Sequence, residues 1–368
     1  MEELMKKVVV DGYWKNNLGD DLFLSILANR YKNIDFYIIA RKENYAPFQD
    51  IKNIKLIPRA NTKVGKIFEY IMFRLGKATN SIFPGSVEHK LYHLAKNNDF
   101  FIEIGGSIFM QPKKGMDGRY KLRSMIADTS TKYFIIGSNF GPFYQNYQVD
   151  NYNKLLGKLD GVSFRDQYSK ELFADLDNVK YYPDIILNLD VSDYKKAKDY
   201  ILISVINSKK KGFGDNYTAW LIENIEEMIS NGEKIVLMSF CEREGDLQFA
   251  KDIISALPKN MHSSIDMYNH QNIKKSLSVI ARAKKIIATR FHAMILGWLF
   301  EKPMHVVSYS EKTVNVINDI APEQKFTNIK KLNKDTKFEY SYFPKNYFDN
   351  IQYESQGHFI ELDRIIKK

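Results

Sequence analysis

The sequence predicts an α/β protein made of two Rossmann-like domains facing each other across a cleft, and three observations carry the prediction. Short β-branched runs alternate with longer segments of helical period, as parallel strands joined by crossover helices do. The alternation occurs as two series, one ending near Leu189 and a second starting at Tyr200. The chain has 368 residues, of which 44% are hydrophobic and 27% charged, enough for two cores and their surfaces.

In the first series, Lys7 to Val10 reads as a strand. Asp20 to Tyr31 reads as a helix with Leu22, Phe23, Ile26 and Leu27 on one face. Phe36 to Ile39, Asp99 to Ile104, Tyr133 to Gly137 and Gly161 to Phe164 follow as strands. The second series has strands at Tyr200 to Val205, Lys234 to Ser239, Lys285 to Ala288 and Met304 to Ser308. Helical segments between them run over Trp220 to Ser230, Leu247 to Leu257, Ile273 to Ala283 and His292 to Phe300. The polar stretch Leu189 to Asp199 separates the series. The expected domains are therefore 1–194 and 195–339, with an aromatic tail, 340–368, packing back on the body.

Several classes fall away. The single cysteine, Cys241, excludes a disulfide framework and a site built on several thiolates. No run approaches the ~20 apolar residues of a membrane-spanning helix, and the first residues lack the pattern of a signal peptide. The expectation is an intracellular protein. Net charge is +10, which favours anionic partners. The basic residues are not gathered into a stripe, and no Lys/Arg tract exceeds Lys209-Lys210-Lys211, so nucleic acid is not expected among them.

The residues that could carry chemistry sit after strands. Gly12 to Asp20 joins the first strand to the first helix, where open α/β sheets bind ligands. Its glycines allow close approach, and the helix start either attracts an anion or is capped by Asp20. The spacing is not that of a dinucleotide fingerprint. Glu103-Ile104-Gly105-Gly106-Ser107 and Gly137 to Pro142 repeat the strand-to-glycine theme, with backbone N–H groups able to hold a phosphate. Arg165 ends a strand, where it could clamp an anion or pair with Asp166, which could instead cap the next helix, and Asp184 reads as a helix cap in preference to a cleft-lining acid.

The densest signal is Ala288-Thr289-Arg290-Phe291-His292, a guanidinium and an imidazole where a strand meets an apolar helix. Lys312, at the next strand-to-helix turn, adds a second cation. The remaining histidines show no metal-ligand spacing. His89 and His93 are read as a solvated helix face. The segment from Lys66 to Phe83 mixes Ile67, Phe68, Tyr70, Ile71, Phe73 and Leu75 with Lys66, Arg74 and Lys77. Core packing or a subunit contact is the preferred reading over an anionic membrane surface.

Taken in order, Gly12…Asn17-Leu18-Gly19-Asp20, Gly105-Gly106-Ser107, Gly137…Gly141-Pro142, Arg165-Asp166…Ser169, Pro183-Asp184, Arg290-Phe291-His292 and Tyr309…Lys312 resemble the polysaccharide pyruvyl transferase family, from about Val8 to about Ile320. The resemblance implies a glycosyltransferase-B-like fold and a transferase that takes pyruvate from phosphoenolpyruvate. The pyruvate becomes a ketal across two hydroxyls of a sugar in a surface polysaccharide or its precursor. It implies that Arg290 and His292 bind the donor or act on it. On physical grounds His292 and Arg290 are the expected catalytic residues, and Arg290, Lys312, Arg165, Gly105, Gly106 and Ser107 are expected to hold the donor's phosphate and carboxylate. Asn17, Gly19, Asp20 and Asp184 then line the acceptor side. Phosphoenolpyruvate is a co-substrate, and neither a cofactor nor a metal is expected. The acceptor is a sugar or a lipid-linked oligosaccharide, met in the cytoplasm or at the inner face of the membrane. A nucleotide-sugar glycosyltransferase and a non-catalytic binder of anionic glycans are the rival readings.

Overall fold

The computed structural model describes residues 7–79 and 81–366. These form two compact units. One comprises the chain up to Trp14, Phe23–Ile185 and the chain from Gln356; the other comprises Lys15–Leu22 and Ile186–Ser355.

The first unit is built on β1 (Lys7–Asp11), β2 (Asp35–Ala40), β3 (Ile54–Pro58), β4 (Phe100–Ile104), β5 (Lys132–Ser138), β6 (Gly161–Phe164) and β7 (Val179–Tyr181). All pairings are parallel and the order is β3-β2-β1-β4-β5-β6-β7. The crossovers carry α1 (Leu18–Arg30), α2 (Lys63–Thr79), α3 (Val87–Lys96), α4 (Tyr120–Ala127), α5 (Asn146–Leu156) and α6 (Gln167–Glu171). A parallel sheet is covered on both faces, so its inner strands are apolar throughout, as in Phe100-Phe101-Ile102-Glu103-Ile104, where every residue is buried. One core gathers Val9, Phe101, Tyr133, Ile135, Phe164 and Phe173.

The second unit repeats the plan with β8 (Tyr200–Ser204), β9 (Ile235–Ser239), β10 (Ile265–Asn269), β11 (Ala283–Ala288), β12 (Met304–Ser308) and β13 (Phe326–Asn328). Its order is β10-β9-β8-β11-β12-β13, again all parallel. The helices are α7 (Asn216–Ser230), α8 (Asp246–Ala256), α9 (Ile273–Arg282), α10 (Phe291–Leu299) and α11 (Glu311–Ile320). Ser341 bridges to Met304, and α12 (Lys345–Ser355) lays Phe348 on Trp298. In the first unit, α13 (Ile360–Ile366) follows His358, which bonds Ser163 Oγ and the Pro183 carbonyl, both at 2.8 Å.

The preferred core-packing reading of Lys66 to Phe83 is corrected. On α2, Gly65, Glu69, Met72 and Gly76 are the half-buried positions, whereas Val64, Ile67, Phe68, Ile71 and Leu75 are exposed. Apart from Met72, the inward face is small or polar: a Cβ on Gly76 would lie 2.6 Å from the Ser81 carbonyl, and Glu69 accepts from Arg59 and Arg41. Among the described residues no helix is long and apolar enough to cross a membrane.

Candidate active site

In each sheet the strand order reverses direction beside its first strand, between β1 and β4 and between β8 and β11, and the loops leaving those strands frame the crevice where open α/β sheets take ligands. Gly12, Asn17, Gly19 and Asp20 follow β1, Gly105 to Ser107 follow β4, and Arg290 and His292 follow β11, whereas Arg165, Asp184 and Lys312 follow strands farther out.

In the first unit, Gly12 serves packing. A Cβ there would stand 2.7 Å from both the Ile104 carbonyl and the Trp14 ring. Gly105, Gly106, Ser107, Arg165 and Asp184 come together, joined by Asn139. Arg165 is buried, donating from one terminal nitrogen to Asp184 Oδ2 (2.9 Å) and from the other to Asn139 Oδ1 (3.0 Å). A Cβ on Gly106 would sit 2.2 Å from that guanidinium. Ser107 Oγ also donates to Asn139 Oδ1 (3.3 Å), and the Gly106 carbonyl accepts from Asn139 N and Ser138 Oγ. Two alternatives are thereby resolved. The partner of Arg165 is Asp184 instead of Asp166, and Asp166 caps α6 by accepting from Ser169 N.

A second buried network lies beneath this loop and was not legible in sequence. Arg123 Nε donates to Glu103 at 2.9–3.1 Å, while one terminal nitrogen reaches Asp117 (3.2 Å) and the Tyr152 hydroxyl (2.7 Å). Tyr133 also donates to Glu103 (2.8 Å). A charge this deep is tolerable because each partner is itself hydrogen-bonded. The network fixes the chain between β4 and α4.

In the second unit, Ser204 Oγ at the end of β8 accepts from the backbone N–H groups of Thr289 (2.9 Å) and Arg290 (3.1 Å), which ties β8 to the loop after β11. His292 lies in the first turn of α10 and is half-buried. Its ring packs where a side chain on residue 19 would stand: a Cβ on Gly19 would be 1.5 Å from His292 Nδ1. Lys312 occupies the first turn of α11, its Nζ 5.6 Å from the ring centre of Phe291, the neighbour of His292. An imidazole and an ammonium near a helix start offer an anion a charge and a proton carrier.

Arg290 behaves otherwise than expected. It is buried, with Nε (2.9 Å) and a terminal nitrogen donating to Asp246 and the other terminal nitrogen donating to Glu244 Oε2 (2.7 Å). Burial alone would raise the Glu244 carboxyl, but Arg290 and Lys211 beside it bring it down to about 2. The guanidinium thus belongs to the loop before α8 and is not presented to a small anion. Asp246 Oδ2 also accepts from Cys241 N (3.0 Å), and burial pushes the Cys241 thiol up to about 12, so it is no nucleophile.

The residues assigned to the acceptor side divide. Asp184 stays with Arg165 in the first unit, whereas Asn17, Gly19 and Asp20 belong to the same unit as His292. Asn17 is the helix cap: Oδ1 accepts from Gly19 N (3.3 Å) and its carbonyl accepts from Asp21 N (2.9 Å). Asp20 lies inside the first turn of α1 and is buried, so the expected capping role passes to Asn17. Asn17 also bridges to Cys241, and Leu18 N donates to the Phe240 carbonyl (3.1 Å). The reading from sequence did not pair Asp246 or Glu244 with Arg290, nor Asn139 with Arg165. Among the described residues, no three His, Cys, Asp or Glu side chains gather as a metal site.

Solved structures share the fold at low identity. The UDP-GlcNAc 2-epimerase of Methanocaldococcus jannaschii is 12% identical, with 99% of each chain covered and a TM-score of 0.60. The UDP-N-acetylglucosamine 2-epimerase of Rickettsia bellii is 10% identical over 99% of this chain and 97% of that one, with a TM-score of 0.53. Anabaena Alr3699/HepE is 12% identical over 99% and 98%, with a TM-score of 0.52. These likenesses establish two parallel-sheet α/β domains of the glycosyltransferase-B type. No curated protein matches the sequence. The family model described as polysaccharide pyruvyl transferase matches residues 17–311, a span that holds every residue discussed as a site except Gly12 and Lys312. The chain belongs to the polysaccharide pyruvyl transferase family.

Proposed function

We propose that this family member transfers pyruvate from phosphoenolpyruvate to two hydroxyls of one sugar, forming a ketal and releasing phosphate. The observation that carries the reading is His292, a half-buried imidazole in the first turn of α10 held against Gly19, with Lys312 one side chain away across Phe291. Phosphoenolpyruvate is a small, dense anion, and a cation beside a helix start suits it. His292 is the general acid and base. One hydroxyl oxygen attacks the phosphate-bearing carbon while the methylene carbon takes a proton and becomes a methyl group. The bond from that carbon to the phosphate oxygen breaks, with its electrons leaving on phosphate. The second hydroxyl attacks the same carbon and closes the ketal. Of the two hydroxyl protons, one offsets that gained by the methyl group and the other leaves with phosphate.

In this reading Lys312 and the start of α10 hold the donor. Asp20 and Asn17 serve the acceptor, either a free sugar or a lipid-linked oligosaccharide. Arg290, Arg165 and Asp184 act as positioning residues, since their charged groups are paired.

Calorimetry of the whole protein tests the donor. Phosphoenolpyruvate should bind, Lys312→Ala should weaken it, and uridine diphosphate should compete poorly. Uridine diphosphate is the informative rival because the Methanocaldococcus and Anabaena proteins were solved with it. Selective uridine diphosphate binding would replace this reading with a nucleotide-sugar transferase. Glycan binding without phosphate release from phosphoenolpyruvate would replace it with a silent binder.

A further inference from the structure

We propose that α2 is a docking helix for an anionic lipid bilayer. Its apolar residues Val64, Ile67, Phe68, Ile71 and Leu75 are 78, 58, 49, 45 and 42% exposed. Their spacing places them in one stripe along the helix. A surface helix of a globular protein normally turns such a stripe inward. Here the inward positions are Gly65, Glu69, Met72 and Gly76, closed against Ala60, Thr62 and the Ser81 carbonyl, so no rotation of the helix would bury the stripe without losing the Glu69 pairs to Arg41 and Arg59.

Charge identifies the occupant. The exposed Lys63, Lys66 and Arg74 flank the stripe, with the exposed Tyr70 among them and the Arg74 guanidinium 6.0 Å from its ring. Lys66 contacts Glu43 at 3.4 Å between two exposed side chains, a pair that a charged surface can easily replace. Arg41, Arg59, Lys63, Lys66 and Arg74 outnumber the acids among them, Glu43 and Glu69. An apolar stripe with an aromatic and a cationic flank matches the boundary between acyl chains and anionic headgroups. A second copy of the chain fits less well, because a two-fold contact sets the patch against itself and would bring these cations together.

Co-sedimentation of the whole protein with phosphatidylcholine vesicles, with and without phosphatidylglycerol, tests the proposal without reference to catalysis. Binding to the anionic vesicles at low salt is expected. Lys66→Gln with Arg74→Gln should weaken it about thirtyfold, at about 1 kcal/mol per basic residue. Ile67→Asn with Ile71→Asn should weaken it roughly tenfold or more. Because all four side chains are exposed, thermal midpoints should stay at the wild-type value. Failure of the wild type to sediment with anionic vesicles overturns the proposal, as does undiminished binding by the Ile67/Ile71 variant. So does a wild-type dimer that this variant turns into monomer while vesicles have no effect, which would assign the face to a second copy.

Discussion

Gly19 and His292 share one volume: the position of a Cβ on Gly19 lies 1.5 Å from the imidazole Nδ1. The glycine is there for space, since it sits in the first turn of α1 where any residue's backbone would fit. Gly19→Ala should therefore shift the His292 ring while gaining up to about 1 kcal/mol of helix propensity. Phosphate release from phosphoenolpyruvate and acceptor should fall at least tenfold, with a thermal midpoint near wild type. An unimpaired Gly19→Ala enzyme would remove ring position from the mechanism.

His292→Gln keeps a side chain of similar reach without a proton carrier near neutral pH. Turnover should vanish while the far-ultraviolet spectrum and unfolding midpoint hold. A near-normal rate would take His292 out of the reaction.

Arg290 and Asp246 form a buried pair whose loss should register as stability. Arg290→Ala leaves Asp246 buried without its cation, and a cost of about 3–5 kcal/mol is expected. Asp246→Ala should cost as much, and the double variant less than the sum. Urea unfolding of the three variants gives the cycle. Additive losses would mean that the two side chains are energetically independent.

Asp21 and His270 make a pH prediction with two opposing parts. Ser276 Oγ donates to the Asn272 carbonyl, so it accepts from His270 Nδ1 at 2.7 Å, and Nε2 faces Asp21 Oδ2 at 3.0 Å. Tyr268 also contacts the serine hydroxyl. Burial raises the Asp21 carboxyl well above 3.8 and lowers His270 from 6.5 to about 4. Asp21 Oδ1 is buried without a hydrogen-bond partner, which suits a neutral acid. Folded Asp21 holds a proton that the unfolded chain loses above 3.8. Folded His270 refuses a proton that the unfolded chain takes below 6.5. Between pH 4 and 6.5 the two differences have opposite signs, and they cancel for as long as folded Asp21 keeps its proton. In Asp21→Asn only the histidine part remains: its stability is present above pH 6.5 and lost toward pH 4. Relative to wild type the variant should lose up to about 3 kcal/mol over that window. Urea unfolding across this window checks it, and equal slopes would show that Asp21 and His270 are not both neutral in the fold.

The inner strands and most of the second unit's helices were legible because burial on both faces writes continuous apolar runs, while packing on a sheet writes a helical period. The strands that escaped, β3, β7, β10 and β13, are the outermost of the two sheets. Their residues are largely exposed or half-exposed, so alternation is broken by Lys55, Lys180 and Asp266. Arg165 and Arg290 were legible as cations after strands, but their partners were not, since Asp184 lies 19 and Asp246 lies 44 residues away. Pairing at that range depends on which loops the topology brings together. The stripe on α2 was visible as a pattern, but a pattern does not say whether protein or solvent meets it.

The path of the chain limits how the protein can be taken apart. Cutting after Ile185 would give a first piece without the Gln356–Lys368 segment, whose His358 bonds Ser163 and Pro183. The second piece would lack Lys15–Leu22, and with it the glycine that accommodates His292 and the carboxyl that faces His270. Neither half is encoded by a single stretch of sequence. Recombining halves from different relatives at that boundary would therefore pair a histidine from one parent with a glycine from the other, and the two would have to be exchanged together.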